Sequence, residues 1–96
     1  MDAQAALERL SASSRRNLLA LSSRPQNFMT ISEMADASSR GMTLLCISEN
    51  GELAQRRWTK WGGEIGQIPG EGFEYAIKPF GLEVRALLIA ETQKAA

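Results

Sequence analysis

Apolar residues along this chain keep two different spacings, and the change between them divides it. Up to Ile47 they recur three and four apart, the rhythm of a helix that buries one face. Leu7 and Leu10, in an alanine-rich start behind Asp2, predict a helix over 2–10. Ser11 can cap a second helix running to Ser22 or Ser23. Its buried stripe would be Leu18, Leu19 and Leu21, with Arg15, Arg16 and Asn17 outside. Pro25 disfavours the helical conformation at Arg24, so 24–27 is a loop, and Phe28-Met29 a short extended piece.

Thr30 and Glu33 have the spacing of a capping box, in which hydroxyl and carboxylate each satisfy a free amide proton. Ile31, Met34 and Ala35 then share one face of a helix of about seven residues. Asp36-Ala37-Ser38-Ser39 interrupts that face, and Ser38 or Ser39 can cap another helix carrying Met42, Leu45, Cys46, Ile47 and Glu49. Asn50-Gly51 ends it, since both residues tolerate the left-handed conformation. These are the parts of a helix-turn-helix. Beyond Gly51 the period shortens. Leu53 to Trp58 reads as extended, and Phe73, Tyr75 and Ile77 alternate with polar or small neighbours as in a half-buried strand. The glycine-rich stretch between them predicts a long, flexible hairpin loop, and the pair makes a wing. Pro79 suits the first turn of a final helix, with Phe80, Val84, Leu87, Leu88 and Glu91 at helical spacing and Leu82 and Ile89 widening the face. Thr92 to Ala96 is expected to fray.

The fold expected is α+β and mostly helical, one domain over 1–96. It comprises an N-terminal helix (2–10), a first core helix (11–23), the helix-turn-helix (31–50), a wing hairpin (53–78) in a two- or three-stranded sheet, and a C-terminal helix (79–92). Ninety-six residues suffice for one core. No apolar run approaches the length of a membrane span, and the first residues lack the features of a signal peptide. A single cysteine cannot form an internal disulfide and suits a reducing cytoplasm. Without histidine, a zinc site and a general base near neutral pH are both disfavoured, and no metal or cofactor is expected.

The order and local sequences resemble the winged helix-turn-helix DNA-binding proteins, MarR-like regulators among them. The resemblance covers about Leu10 to Leu88. The run 10–21 looks like the segment that opens their winged domain. Thr30-Ile31-Ser32-Glu33-Met34-Ala35 looks like the start of the first helix of their pair. Ile47 to Gly51 followed by Leu53 to Arg57 looks like the end of their recognition helix and first wing strand. Tyr75 to Gly81 looks like their second wing strand entering the last helix. Three positions depart from that pattern. Glu52 stands where an apolar residue is usual, Gly41 occupies the first turn of the recognition helix, and Leu44-Leu45-Cys46-Ile47 leaves that helix few polar side chains. The Asp-x-Arg of the MarR wing is absent.

The resemblance implies a transcription regulator that reads double-stranded DNA, with the second helix of the pair in the major groove and the wing on the backbone. The implied contacts are Ser38, Ser39, Arg40 and Thr43 on the helix, and Arg56, Arg57 and Lys60 on the wing, the last three interleaved with Trp58, Thr59 and Trp61. Arg40 reads either as a bidentate guanine contact or as a plain surface residue. Trp58 and Trp61 could equally be structural. Net charge is zero, but its distribution is uneven: from Arg9 to Lys60 eight basic residues face four acidic ones, and from Trp61 onward three face five. No acidic residue lies between Leu53 and Gly63. The broad apolar face of Phe80 to Ile89 predicts a homodimer through that helix and 2–10. Enzyme readings fail: Cys46 sits in an apolar run, and the glycines match no phosphate-cradling loop. The competing expectation is a winged module that binds another protein through Leu44 to Ile47.

Overall fold

The computed structural model describes residues 1–34, 37–47 and 51–95. These form four α-helices, a single 3-10 turn and a three-stranded antiparallel sheet, an α+β fold. Helix α1 (Ala3–Arg9) begins at Asp2, whose carboxylate accepts from the Ala5 amide at 2.8 Å. Helix α2 (Ala12–Ala20) begins at Ser11, whose hydroxyl accepts from Ser14 N–H at 3.2 Å. The Ser11 cap is the one the sequence predicts, whereas Asp2, expected as the first residue of its helix, caps it instead. Helix α2 stops at Ala20, short of Ser22, because Leu21 turns to extended backbone and buries its side chain.

The buried stripe of α2 differs from the expected one. Asn17 is fully buried and Leu19 is 40% exposed. Asn17 faces helix α3 (Ser39–Cys46), and its amide grips the backbone of Ser38 from both sides. Arg15 is not a solvated residue either. Its guanidinium donates at the end of α1 to the carbonyls of Leu7 (3.0 Å), which also accepts from the Leu10 amide, and Leu10 (3.3 Å).

Strand β1 (Met29–Thr30) leads into the capping box. The Glu33 carboxylate accepts from the Thr30 amide (3.0 Å) and hydroxyl (2.8 Å). The expected seven-residue helix does not follow. Ile31–Glu33 is one 3-10 turn, after which Met34 takes an extended conformation and sinks into the core. So short a helix has too few propagating hydrogen bonds to offset nucleation, and burying Met34 prevails. Ala35 and Asp36, expected to close that helix, and Glu49 and Asn50, expected to close the next, lie outside the described residues.

Strands β2 (Ala54–Trp61) and β3 (Gly70–Ile77) form the expected hairpin, in register from Ala54 opposite Ile77 to Trp61 opposite Gly70. The short β1 pairs with the other side of β3, giving the order β1-β3-β2, so β2 is an edge strand. Before it, Gly51 and Glu52 both adopt left-handed backbone (φ 90° and 55°), which delays the strand to Ala54 and sets the Glu52 carboxylate 3.7 Å from Lys78 Nζ.

Helix α4 (Pro79–Ala95) is longer than predicted: Thr92, where fraying was expected, is helical, with its hydroxyl on the Leu88 carbonyl. Ala96 lies outside the described residues. Helix α1 lies against α4, and Ala6, Leu7, Leu10, Val84 and Leu88 join one core with Leu18, Leu21, Met34, Met42, Leu45, Leu53, Tyr75 and Ile77. Much of the face that suggested a second subunit is therefore covered within the chain. Gly81 permits this packing, since a Cβ there would stand 2.8 Å from Ile77 Cγ1 and collide with the Leu53 carbonyl. Among the described residues no helix is long and apolar enough to cross a membrane.

Candidate nucleic-acid interface

The site begins with the start of α3. Ser38 Oγ accepts from Gly41 N–H at 3.1 Å and satisfies one of the free amides of the first turn. Asn17 Nδ2 donates to the Ser38 carbonyl at 2.7 Å, and Ser38 N–H donates to Asn17 Oδ1 at 3.1 Å. Gly41 makes the approach possible: a Cβ there would stand 2.9 Å from Asn17 Cγ and nearer still to Nδ2. The glycine that departs from the family pattern thus lets α2 and α3 pack closely. Ser38 thus joins this junction through its backbone and caps the helix with its hydroxyl.

Ser39 and Thr43, one turn apart, share the next face, and the Thr43 hydroxyl donates to the Ser39 carbonyl at 3.1 Å. Both border an open groove of about 400 Å³ between α3 and the hairpin, with Arg56, Trp58 and Phe73 on its far wall. Arg40, exposed, stands about 100° round the helix from Ser39.

Alternation along β2 divides the expected wing cations between two faces. Arg56, Trp58 and Lys60 point one way; Arg57, Thr59 and Trp61 the other. Arg56 lies 4.4 Å over the Phe73 ring, beside Trp58, which meets Phe73 edge to face at 5.0 Å. On the reverse face Arg57 is ion-paired with Glu74, its register partner, and lies 3.8 Å over the Phe28 ring. Lys60 Nζ is 3.8 Å from Glu71, again directly opposite. The sequence expectation of a wing free of acidic neighbours is therefore corrected. The carboxylates come from β3, placed by strand register. Of the seven expected contacts, the structure brings Ser39, Thr43 and Arg56 to one groove, leaves Arg40 at its helix, and ties Ser38, Arg57 and Lys60 to internal partners.

No family model, curated protein or solved structure matches this chain. What the groove does has to be read from its own chemistry. Hydroxyls, a guanidinium and aromatic rings line it, and no described residue along it carries a carboxylate. Trp58 is more than half exposed, so it is not core; Trp61 rests across Gly70 and Gly72 and borders the same groove. Glu33, on the capping box nearby, is held below its ordinary pKa by the Thr30 amide and then the Thr30 hydroxyl. Cys46, the last residue of α3, is pushed up by burial against the opposing pull of Arg56 and Lys78. Tyr75, at the floor of the groove, is likewise raised by burial, then by Cys46, with Arg56 opposing. Among the described residues no group of three or more acidic or thiol side chains is placed to hold a metal. Asn17 and Phe73 are what the sequence reading missed as site residues, Trp58 and Trp61 having been left open between contact and structural roles. The signal for the wall was present in Gly70 and Gly72, which leave room on β3 for a large ring from its partner strand.

Proposed function

We propose that this chain is a winged helix-turn-helix transcription regulator acting in the cytoplasm, with α3 entering the major groove of double-stranded DNA and the hairpin lying on the flanking backbone. The observation that carries the reading is the groove in which Ser39 and Thr43 of α3 meet Arg56 of β2 without a carboxylate. The element order supports it: helix, short strand, turn, helix, hairpin, helix, with the short strand paired to the second strand of the hairpin. The polar start of α3 supplies Ser39, Arg40 and Thr43 to base edges and phosphates, and Arg56 supplies a phosphate contact. Arg57 and Lys60, each facing a carboxylate across the hairpin, contribute less. A homodimer through α4 belongs to the same proposal, resting on the partly exposed Leu87 and Ile89.

The test is binding of a labelled random duplex at rising salt. Each phosphate neutralised contributes about −0.9 to the slope of log affinity against log salt, so Arg40 and Arg56 give roughly −2 per subunit. Absence of binding at low salt, or a flat salt response, refutes the proposal. Either result favours a protein partner, for which Ile65 and Ile68, almost fully exposed at the hairpin tip, are the specific observation.

A further inference from the structure

The aromatic wall exceeds what a duplex contact requires. Trp58, Trp61 and Phe73 are 55%, 47% and 38% exposed, an unusual outlay of large rings on the surface of a small domain. They are held in place. Phe73 is clamped between the Trp58 edge and the Arg56 guanidinium. Trp61 lies flat across two glycines, where a Cβ on Gly70 would stand 2.7 Å from its Cε2. Rings fixed by their neighbours lose little freedom when a planar ligand stacks on them. A cation beside the rings and a groove without carboxylates suit an anionic ligand that also has planar faces. A nucleic acid strand combines the two, and base stacking on aromatic side chains is tolerant of sequence.

We infer that the aromatic end of this groove is a seat for unpaired nucleobases, so that the hairpin holds single-stranded nucleic acid against Trp58, with Arg56 on the adjoining phosphate. The inference rests on the duplex proposal only for nucleic acid as the ligand. It adds a second mode, in which bases are taken outside the helical stack. In a duplex, opening a base costs a few kcal/mol, so the seat favours strands already unpaired.

Trp58 is one of the two tryptophans of the chain and Trp61, at the hairpin edge, borders the same groove, so intrinsic fluorescence reports on the seat. The intact protein is titrated at low salt with an oligothymidylate of about 12 nucleotides, within the range one small domain can cover. Saturable quenching is expected, and Trp58→Ala is expected to weaken binding of the labelled oligonucleotide about 5- to 150-fold. Trp58→Phe, which keeps a ring, restores most of it, and circular dichroism verifies that both variants fold. A labelled duplex is titrated in parallel, and because Trp58 borders the same groove, Trp58→Ala is expected to weaken duplex binding less than single-strand binding. Oligothymidylate binding that depends on the ring supports the seat, whether or not duplex binds; absence of duplex binding would overturn the regulator proposal alone. Duplex binding without quenching by oligothymidylate, or single-strand binding indifferent to Trp58→Ala, overturns the seat and spares the regulator. Failure of both ligands overturns both and leaves the face to a protein.

Discussion

Replacing Gly41 by alanine sets two known effects against each other, and the structure decides the sign. Alanine is favoured over glycine within a helix by about 1 kcal/mol, so at an open position the change would stabilise. At Gly41 the new methyl would stand 2.9 Å from Asn17 Cγ and closer to Nδ2. Asn17 cannot give way cheaply: it is fully buried, and its amide is engaged at 2.7 and 3.1 Å with Ser38. Forcing it aside costs about 1–3 kcal/mol in overpacking, and a similar amount for each buried polar group left unpaired. The expected net loss is about 1–3 kcal/mol, and each kcal/mol lowers the melting temperature by roughly 4–8 °C in a domain of this size. Asn17→Ala should itself cost about 2–4 kcal/mol, from two lost hydrogen bonds and a cavity. In that background the two Asn17 contacts are gone, the next neighbour is Ser38 Oγ at 3.1 Å, and Gly41→Ala should become neutral or stabilising by up to about 1 kcal/mol. Urea denaturation of the four proteins gives the coupling directly, expected at roughly 2–3 kcal/mol. Additive effects, or a stabilising Gly41→Ala in the otherwise unaltered chain, would refute the junction as the device that fixes α3.

The two adjacent wing arginines should behave differently. Arg56→Ala lowers duplex affinity and reduces the salt slope by about 1, whereas Arg57→Ala changes binding less than twofold; equal effects measured by anisotropy would contradict the two-face arrangement. Arg40→Ala is expected to lower discrimination between duplexes more than affinity for random DNA, which competition with unrelated sequences measures. Glu33 has a lowered pKa in the folded chain, so the stability it contributes is complete above the ordinary glutamate range and disappears as pH falls through its folded value. Glu33→Ala should accordingly be less stable at neutral pH and should lose less on acidification, as melting curves taken down to about pH 3 would record. Because burial raises the pKa of Cys46, its alkylation at neutral pH should be much slower in the folded protein than in urea, and equal rates would place the thiol at the surface.

Where the fold depends on chemistry within one turn of chain, the sequence is a sufficient guide. Ser11 and Ser38 start their helices, Pro79 starts the last, and the alternation of Phe73, Tyr75 and Ile77 locates β3. The capping box is also present as read, but a box satisfies amides without setting a helix length, and Met34 leaves for the core after a single turn. Residues whose role is set by distant partners were misread. Asn17 looks like a surface position until Gly41 brings α3 against it. Arg57 and Lys60 look unopposed until the hairpin closes and puts Glu74 and Glu71 across from them. The hairpin's electrostatics thus follow from register, which a count of charges along the chain does not contain.

The outer position of β2 has a consequence of its own. Its free side exposes a row of amide and carbonyl groups over eight residues, open to annealing with an identical strand from another molecule. Arg56, Arg57 and Lys60 oppose that annealing, since two such rims would bring like charges together. Substituting all three with valine should therefore promote fibrous or amorphous aggregation, even where the fold itself is retained.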